Sequence, residues 1–180
     1  MKKELKVLIK IAVLSAIAFL FYFILEFPLL PGAPFLKFDF SDIPAVIGGL
    51  ALGPIAGIII QFIKNILHLF LKANEGSPIG EVANFIVGIS YIIPVSLLYL
   101  KKKNIKSLIL GMAFGIISMV IVAVVFNYLV FIPIYAPALL EAGAWQYLLT
   151  FIIPFNALKA CIISVIAVLL YKYLVPIINK

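Results

Sequence analysis

Long apolar runs separated by short polar breaks dominate this chain. The runs over 5–25, 79–100, 105–132 and 146–178 each supply the roughly 20 residues that a helix needs to cross the hydrocarbon of a bilayer. None shows the period-2 alternation of an outer-membrane barrel strand, so helix is the predicted state. The segment 42–71 is too long for one helix and is interrupted at Gly53-Pro54. Proline ends or kinks a helix at the residue before it, and Gly48, Gly49, Gly53 and Gly57 add turn freedom and close approach, so two short helices are predicted over 42–53 and 54–71. The expected fold is an all-α integral membrane protein, one domain over 1–180 with six transmembrane helices.

Composition agrees with that pattern. The chain is 66% hydrophobic and 12% charged, with a mean hydropathy of +1.27, whereas a soluble domain carries about 25% charged residues. The first apolar run is longer than the core of a signal peptide, and no small-residue cleavage site follows it before Glu26-Phe27-Pro28, so it reads as a membrane span. The lone Cys161 has no partner for an internal disulfide and reads as a small core residue.

Charge orients the bundle. With six spans both termini share one side, and Lys2, Lys3, Lys6, Lys10, Lys101, Lys102, Lys103, Lys106, Lys172 and Lys180 all fall there. Glu26, Asp39, Asp42, Glu75, Glu81 and Glu141 fall in or beside the opposite loops. By the positive-inside rule both termini are expected in the cytoplasm, as in a multi-pass protein of a prokaryotic plasma membrane. The net charge of +7 then reflects orientation in the bilayer. With no arginine and dispersed lysines, it does not mark a nucleic-acid partner.

Against this background a few polar residues stand out. Lys159 lies inside the last apolar run and follows Asn156 by three residues, which places an amide and an ammonium one turn apart on one helical face. Ionisable groups within a bilayer are costly and usually face an interior cavity. Asn127 and Tyr128 near the end of the fifth span, Lys64, Asn65 and His68 in the third, and Asn84 between Gly80 and Gly88 in the fourth fall in the same half of the membrane. His68 is the only histidine and lacks neighbours at metal-ligand spacing, so it reads as a hydrogen-bonded structural residue. The loop Phe35-Leu36-Lys37-Phe38-Asp39-Phe40-Ser41-Asp42 alternates aromatics with charges and suggests a lid built on Phe38 and Phe40. Phe131 to Trp145, with Tyr135 and Pro137, suggests another. An intramembrane enzyme would need a nucleophile with its base or a metal cluster, neither of which the pattern supplies. A purely structural subunit gains little from an intramembrane lysine.

The stretches 35–44, Gly53-Pro54-Ile55-Ala56-Gly57, 80–88 and Pro154-Phe155-Asn156-Ala157-Leu158-Lys159 together resemble the substrate-binding S components of energy-coupling factor (ECF) vitamin transporters, in particular the riboflavin-specific members. The resemblance implies a six-helix bundle with an outward-facing riboflavin pocket and polar contacts to the flavin from Asn127, Asn156 and Lys159. Asparagine can both donate and accept and lysine only donates, which suits a pyrimidine edge of carbonyls flanking an N–H. Tyr128, Phe151 and Phe155 are candidates for the walls around the ring. No covalent cofactor is implied. Flavin mononucleotide stays open as ligand, with Lys37 or Lys64 able to meet a phosphate, and so does another vitamin such as thiamine. No phosphate-cradling Gly-x-x-x-x-Gly-Lys-Ser/Thr loop occurs in the chain, and the resemblance implies a transmembrane coupling subunit and two cytoplasmic ATPases as partners. Docking is expected on the first span at Ala12-x-x-x-Ala16 with nearby Ser15, where small side chains allow close helix approach.

Overall fold

The computed structural model describes residues 3–72 and 77–179. Lys2, Glu75 and Lys180, three of the charges used to orient the chain, lie outside the described residues. The elements are α1 (Lys3–Ile24), a two-stranded ribbon of β1 (Phe27–Pro28) and β2 (Lys37–Phe38), α2 (Asp42–Leu52), α3 (Pro54–Leu71) and α4 (Pro78–Lys102). They continue with α5 (Ile105–Tyr135), a short α6 (Ala138–Ala142) and α7 (Ala144–Asn179). Five of these, α1, α3, α4, α5 and α7, are long and apolar enough to cross a membrane, and the protein is a multi-pass membrane protein. The remaining predicted span, 42–53, is α2.

Local chemistry explains the boundaries. Gly53 sits at φ +105, a conformation that side chains disfavour, and Pro54 opens α3 immediately after it. Ser77 caps α4 by accepting from the Gly80 N–H at 2.9 Å, and Asn104 caps α5 by accepting from Ser107 at 2.9 Å. The ribbon between α1 and α2 was not foreseen. It pairs Phe27 with Phe38 and Pro28 with Lys37 in antiparallel register.

The shortest of the main helices is the central one. α2 is apolar on all sides, a pattern that calls for burial on all sides, and its residues from Asp42 to Leu50 are all buried. It packs against α1, α3, α4 and α7. Its 11 residues reach roughly 16 Å at 1.5 Å per residue, about half of the ~30 Å hydrocarbon thickness. Close approach of α3 and α4 depends on Gly88, where an added Cβ would lie 1.9 Å from Nε2 of Gln61. The outward faces of the long helices, including Leu8, Phe70, Leu129 and Leu169, remain exposed and apolar.

Two π-helical turns interrupt the long helices, Asn127–Phe131 in α5 and Leu148–Ile152 in α7, and they contact each other. A π turn inserts one extra residue and rotates everything beyond it relative to a regular helix. Both fall beside the cavity described next.

Candidate ligand-binding cavity

A cavity of about 400 Å³ lies among α1, α3, α4, α5 and α7, beneath the ribbon, within the usual size of small-molecule sites. Val87, Met119, Ala123, Phe131, Ile152 and Phe155 give it apolar surface. Asn127, Asn156 and Lys159 line it from α5 and α7, and Tyr22, His68, Glu81 and Asn84 from α1, α3 and α4.

Both asparagines are held in place by the helix that carries them. Asn127 Nδ2 donates to the Ala123 carbonyl at 2.8 Å, and Asn156 Nδ2 donates to the Ile152 carbonyl at 2.8 Å. Each amide thus spends one N–H locally and keeps its carbonyl oxygen and second N–H.

Lys159 belongs to a buried ion network. Its Nζ stands 3.0 Å from Asp42 Oδ2 and 3.2 Å from Asp39 Oδ2. Lys64, fully buried, pairs with Asp42 Oδ1 and donates to Ser41 Oγ. Gln61 Nε2 reaches Asp42 Oδ1 at 2.9 Å, and the Ser41 N–H reaches Asp39 Oδ1 at 2.8 Å. Two ammoniums against two carboxylates leave the network electrically balanced, which is what burial of charge requires. An ammonium has three donors, so Lys159 retains one beyond its two carboxylates on a side chain that lines the cavity.

At the mouth, Glu26 anchors the ribbon. Lys37 Nζ lies 3.0 Å from its Oε1, and Lys72 pairs with the same atom. Burial pushes the Glu26 carboxyl up, but the two lysines outweigh it and hold the group below its ordinary value.

Several expected site residues stand elsewhere. Phe38 and Phe40 do not line the cavity: Phe38 is 1% exposed and packs edge-on against Phe40 at 5.0 Å and tilted against Phe27 at 5.6 Å. They form an aromatic knot that holds the ribbon, while Phe35, Leu36 and Lys37 roof the cavity. Lys64 faces the ion network instead of the cavity, because a fully buried ammonium needs its carboxylate. Tyr128 stacks on Trp145 at 5.6 Å and is partly exposed, while Asn127 and Phe131 at the two ends of the π turn point inward. Phe155 lines the cavity as expected; Phe151 is not part of its lining and packs against Tyr147 at 5.9 Å. On α1, Ala12 and Ala16 are exposed, but Ser15 is turned inward, 2% exposed, with Oγ donating to the Ile11 carbonyl at 2.8 Å. Ser15 therefore does not share a surface with the two alanines.

Sequence reasoning missed Tyr22 altogether and left Glu81 with the loop acids, although it is buried in the first turn of α4. It also missed Asp39 and Asp42 as the partners of Lys159. The usable signal was the intramembrane lysine itself, which demands a counter-charge.

Comparison with known proteins places the chain. The family model for the ECF transporter, substrate-specific component, matches residues 6–171. The riboflavin transporter FmnP of Bacillus subtilis (strain 168) is 37% identical, with 98% of this chain and 96% of the relative covered. The riboflavin transporter RibU of Staphylococcus aureus (strain TCH60) is 38% identical, with 97% and 93% covered. A solved structure, "Structure and mechanism of the S component of a bacterial ECF transporter", superposes with a TM-score of 0.84 at 36% identity, covering 99% of this chain and all of that one. With its family matched over nearly its whole length and its fold shared with a solved member, the chain belongs to the substrate-specific components of ECF transporters.

Proposed function

We propose that this protein is the riboflavin-binding subunit of an ECF-type transporter, a carrier component and not an enzyme. One observation carries the reading: Asn127, Asn156 and Lys159, drawn from two helices, line one cavity together. Their free groups complement a flavin's pyrimidine edge, the lysine donating to a carbonyl and the amides able to donate to carbonyls and accept from the ring N–H. Phe131 and Phe155 supply aromatic surface for the fused rings. Relatives that carry the name riboflavin transporter at 37% and 38% identity support the same ligand.

In the membrane we take α2 as a sixth, abbreviated span, so that both termini are cytoplasmic in a bacterial plasma membrane. Lys10 of α1 bonds to the Ile178 carbonyl at the far end of α7, which supports a common side for the termini. The cavity draws on the start of α4, the late part of α5 and the early part of α7, at the opposite end of the bundle from Lys101, Lys102 and Lys103, and so opens outward. Energy would come from a transmembrane coupling subunit and paired ATPases, docked on the α1 face of Ala12 and Ala16.

Equilibrium dialysis of labelled riboflavin against the detergent-purified protein tests the ligand, with thiamine and biotin as competitors. The reading expects one saturable site per chain that neither competitor empties. Displacement by thiamine would move the assignment to another vitamin.

A further inference from the structure

The part of the cavity wall supplied by α1, α3 and α4 carries a second polar cluster, Tyr22, His68 and Glu81. Tyr22 of α1 stacks on His68 of α3 with ring centroids 3.7 Å apart and planes within 9°. Both bond to Glu81 of α4, His68 Nδ1 at 2.7 Å and the Tyr22 hydroxyl at 3.3 Å from Oε1. Glu81 is 5% exposed and His68 3%. A carboxylate oxygen only accepts, so the imidazole presents Nδ1–H to it, and Nε2 of the neutral ring is then an acceptor.

Two atoms of this cluster, Glu81 Oε2 and His68 Nε2, are buried without a hydrogen-bond partner among the described residues. Such orphans are rare in folded proteins and costly to keep. With the imidazole in its neutral form both are acceptors, and both belong to side chains that line the cavity. The ligand chemistry that satisfies a pair of buried acceptors is a pair of hydroxyl donors. A phosphate monoester would bring acceptors and about −1.5 to −2 charge against a carboxylate that has no lysine partner among the described residues. Lys64, whose ammonium lies 5.4 Å from the centroid of the Tyr22 ring, is paired with Asp42.

We propose that Glu81 and His68 form a polyol subsite that reads the hydroxylated chain of the flavin and discriminates against its phosphorylated form. The inference rests on the riboflavin reading above and adds the basis of selectivity. The ring end of the ligand is held at Asn127, Asn156 and Lys159, and the hydroxylated chain crosses to the α1, α3 and α4 wall.

The test is a set of fluorescence titrations of wild type and Glu81→Gln with riboflavin, flavin mononucleotide and lumiflavin, whose methyl group replaces the polyol. The amide keeps the size of the carboxylate, removes its charge and adds a donor. The substitution is expected to weaken riboflavin about three- to tenfold, the size of one or two hydrogen bonds, and to lower the preference for riboflavin over the mononucleotide by a similar factor. Lumiflavin affinity should stay within about twofold, since that ligand makes no contact with the subsite. An unchanged preference, or lumiflavin weakened as much as riboflavin, would overturn the subsite. Wild-type riboflavin binding reads the parent assignment separately: its absence removes both, and its presence with an unchanged preference removes the subsite alone.

Discussion

Lys159 Nζ and Asp39 Oδ2 lie 3.2 Å apart although 120 residues separate them in the chain. The contact ties the last helix to the segment that leads from the ribbon into α2. It makes Lys159 both a cavity residue and a structural one, because Asp42 shares the same ammonium. Replacing Lys159 by methionine leaves two buried carboxylates with only Lys64 to balance them. Losing one partner of a buried pair costs about 3–5 kcal/mol. Lys159→Met is therefore expected to lower thermal stability in detergent and to weaken riboflavin binding together, as read by a melting curve and a titration on the same sample.

The asparagines should separate those two effects. Asn127→Ala and Asn156→Ala each remove one proposed ligand contact and one local bond to a helix carbonyl. Riboflavin affinity is expected to fall about three- to tenfold in each, with stability changed by no more than about 1 kcal/mol. A melting temperature that fell as steeply as in Lys159→Met would assign the amides to folding.

Gly88 sets the spacing of α3 and α4. A Cβ there would meet Gln61 Nε2, the same atom that bonds Asp42 Oδ1 at 2.9 Å and the Asn84 carbonyl at 3.3 Å. Gly88→Ala should thus disturb the ion network as well as helix spacing, lowering stability by about 1–3 kcal/mol as overpacked cores do. Thermal unfolding checks it, and an unperturbed melting temperature would mean that Gln61 has room to move.

On α1 the prediction divides neighbouring residues. Ala12→Trp and Ala16→Trp, on the exposed face, are expected to keep riboflavin binding and lose co-purification with the coupling subunit. Ser15→Trp, at a buried position, should instead reduce the yield of folded protein. Intact co-purification of both alanine variants would count against that face as the docking surface.

How much of this was legible in the chain varies with the range of the interaction involved. Apolar run length is a local property, and it located five long helices and the break at Gly53-Pro54. Lys159 and Asn156 were legible because a charge within an apolar run stands out wherever its partner lies. The partners were not legible, since Asp39 and Asp42 meet Lys159 only through tertiary structure. Phe38 and Phe40 were read as a lid because alternation reveals two faces without saying which one covers the cavity; the pairing of Phe27 with Phe38 decided it. The π turn at Asn127–Phe131 carries no recognisable sequence signature, and that turn carries Asn127 and Phe131 into the cavity lining while Tyr128 stacks on Trp145. Glu81 was grouped with the acids in or beside the outer loops because its position near a helix start resembles an exposed acid. Only the approach of α1 and α3 buries it.

The central claim is that the cavity between the Asn156–Lys159 wall and the ribbon holds the flavin. Quenching of riboflavin fluorescence, titrated in parallel with purified wild type, Asn156→Ala and Lys159→Met, tests it most directly. The account predicts saturable quenching at one site per wild-type chain and clearly weaker binding in both variants. Equal affinity in all three, or no quenching by a folded, monodisperse wild-type sample, would contradict it.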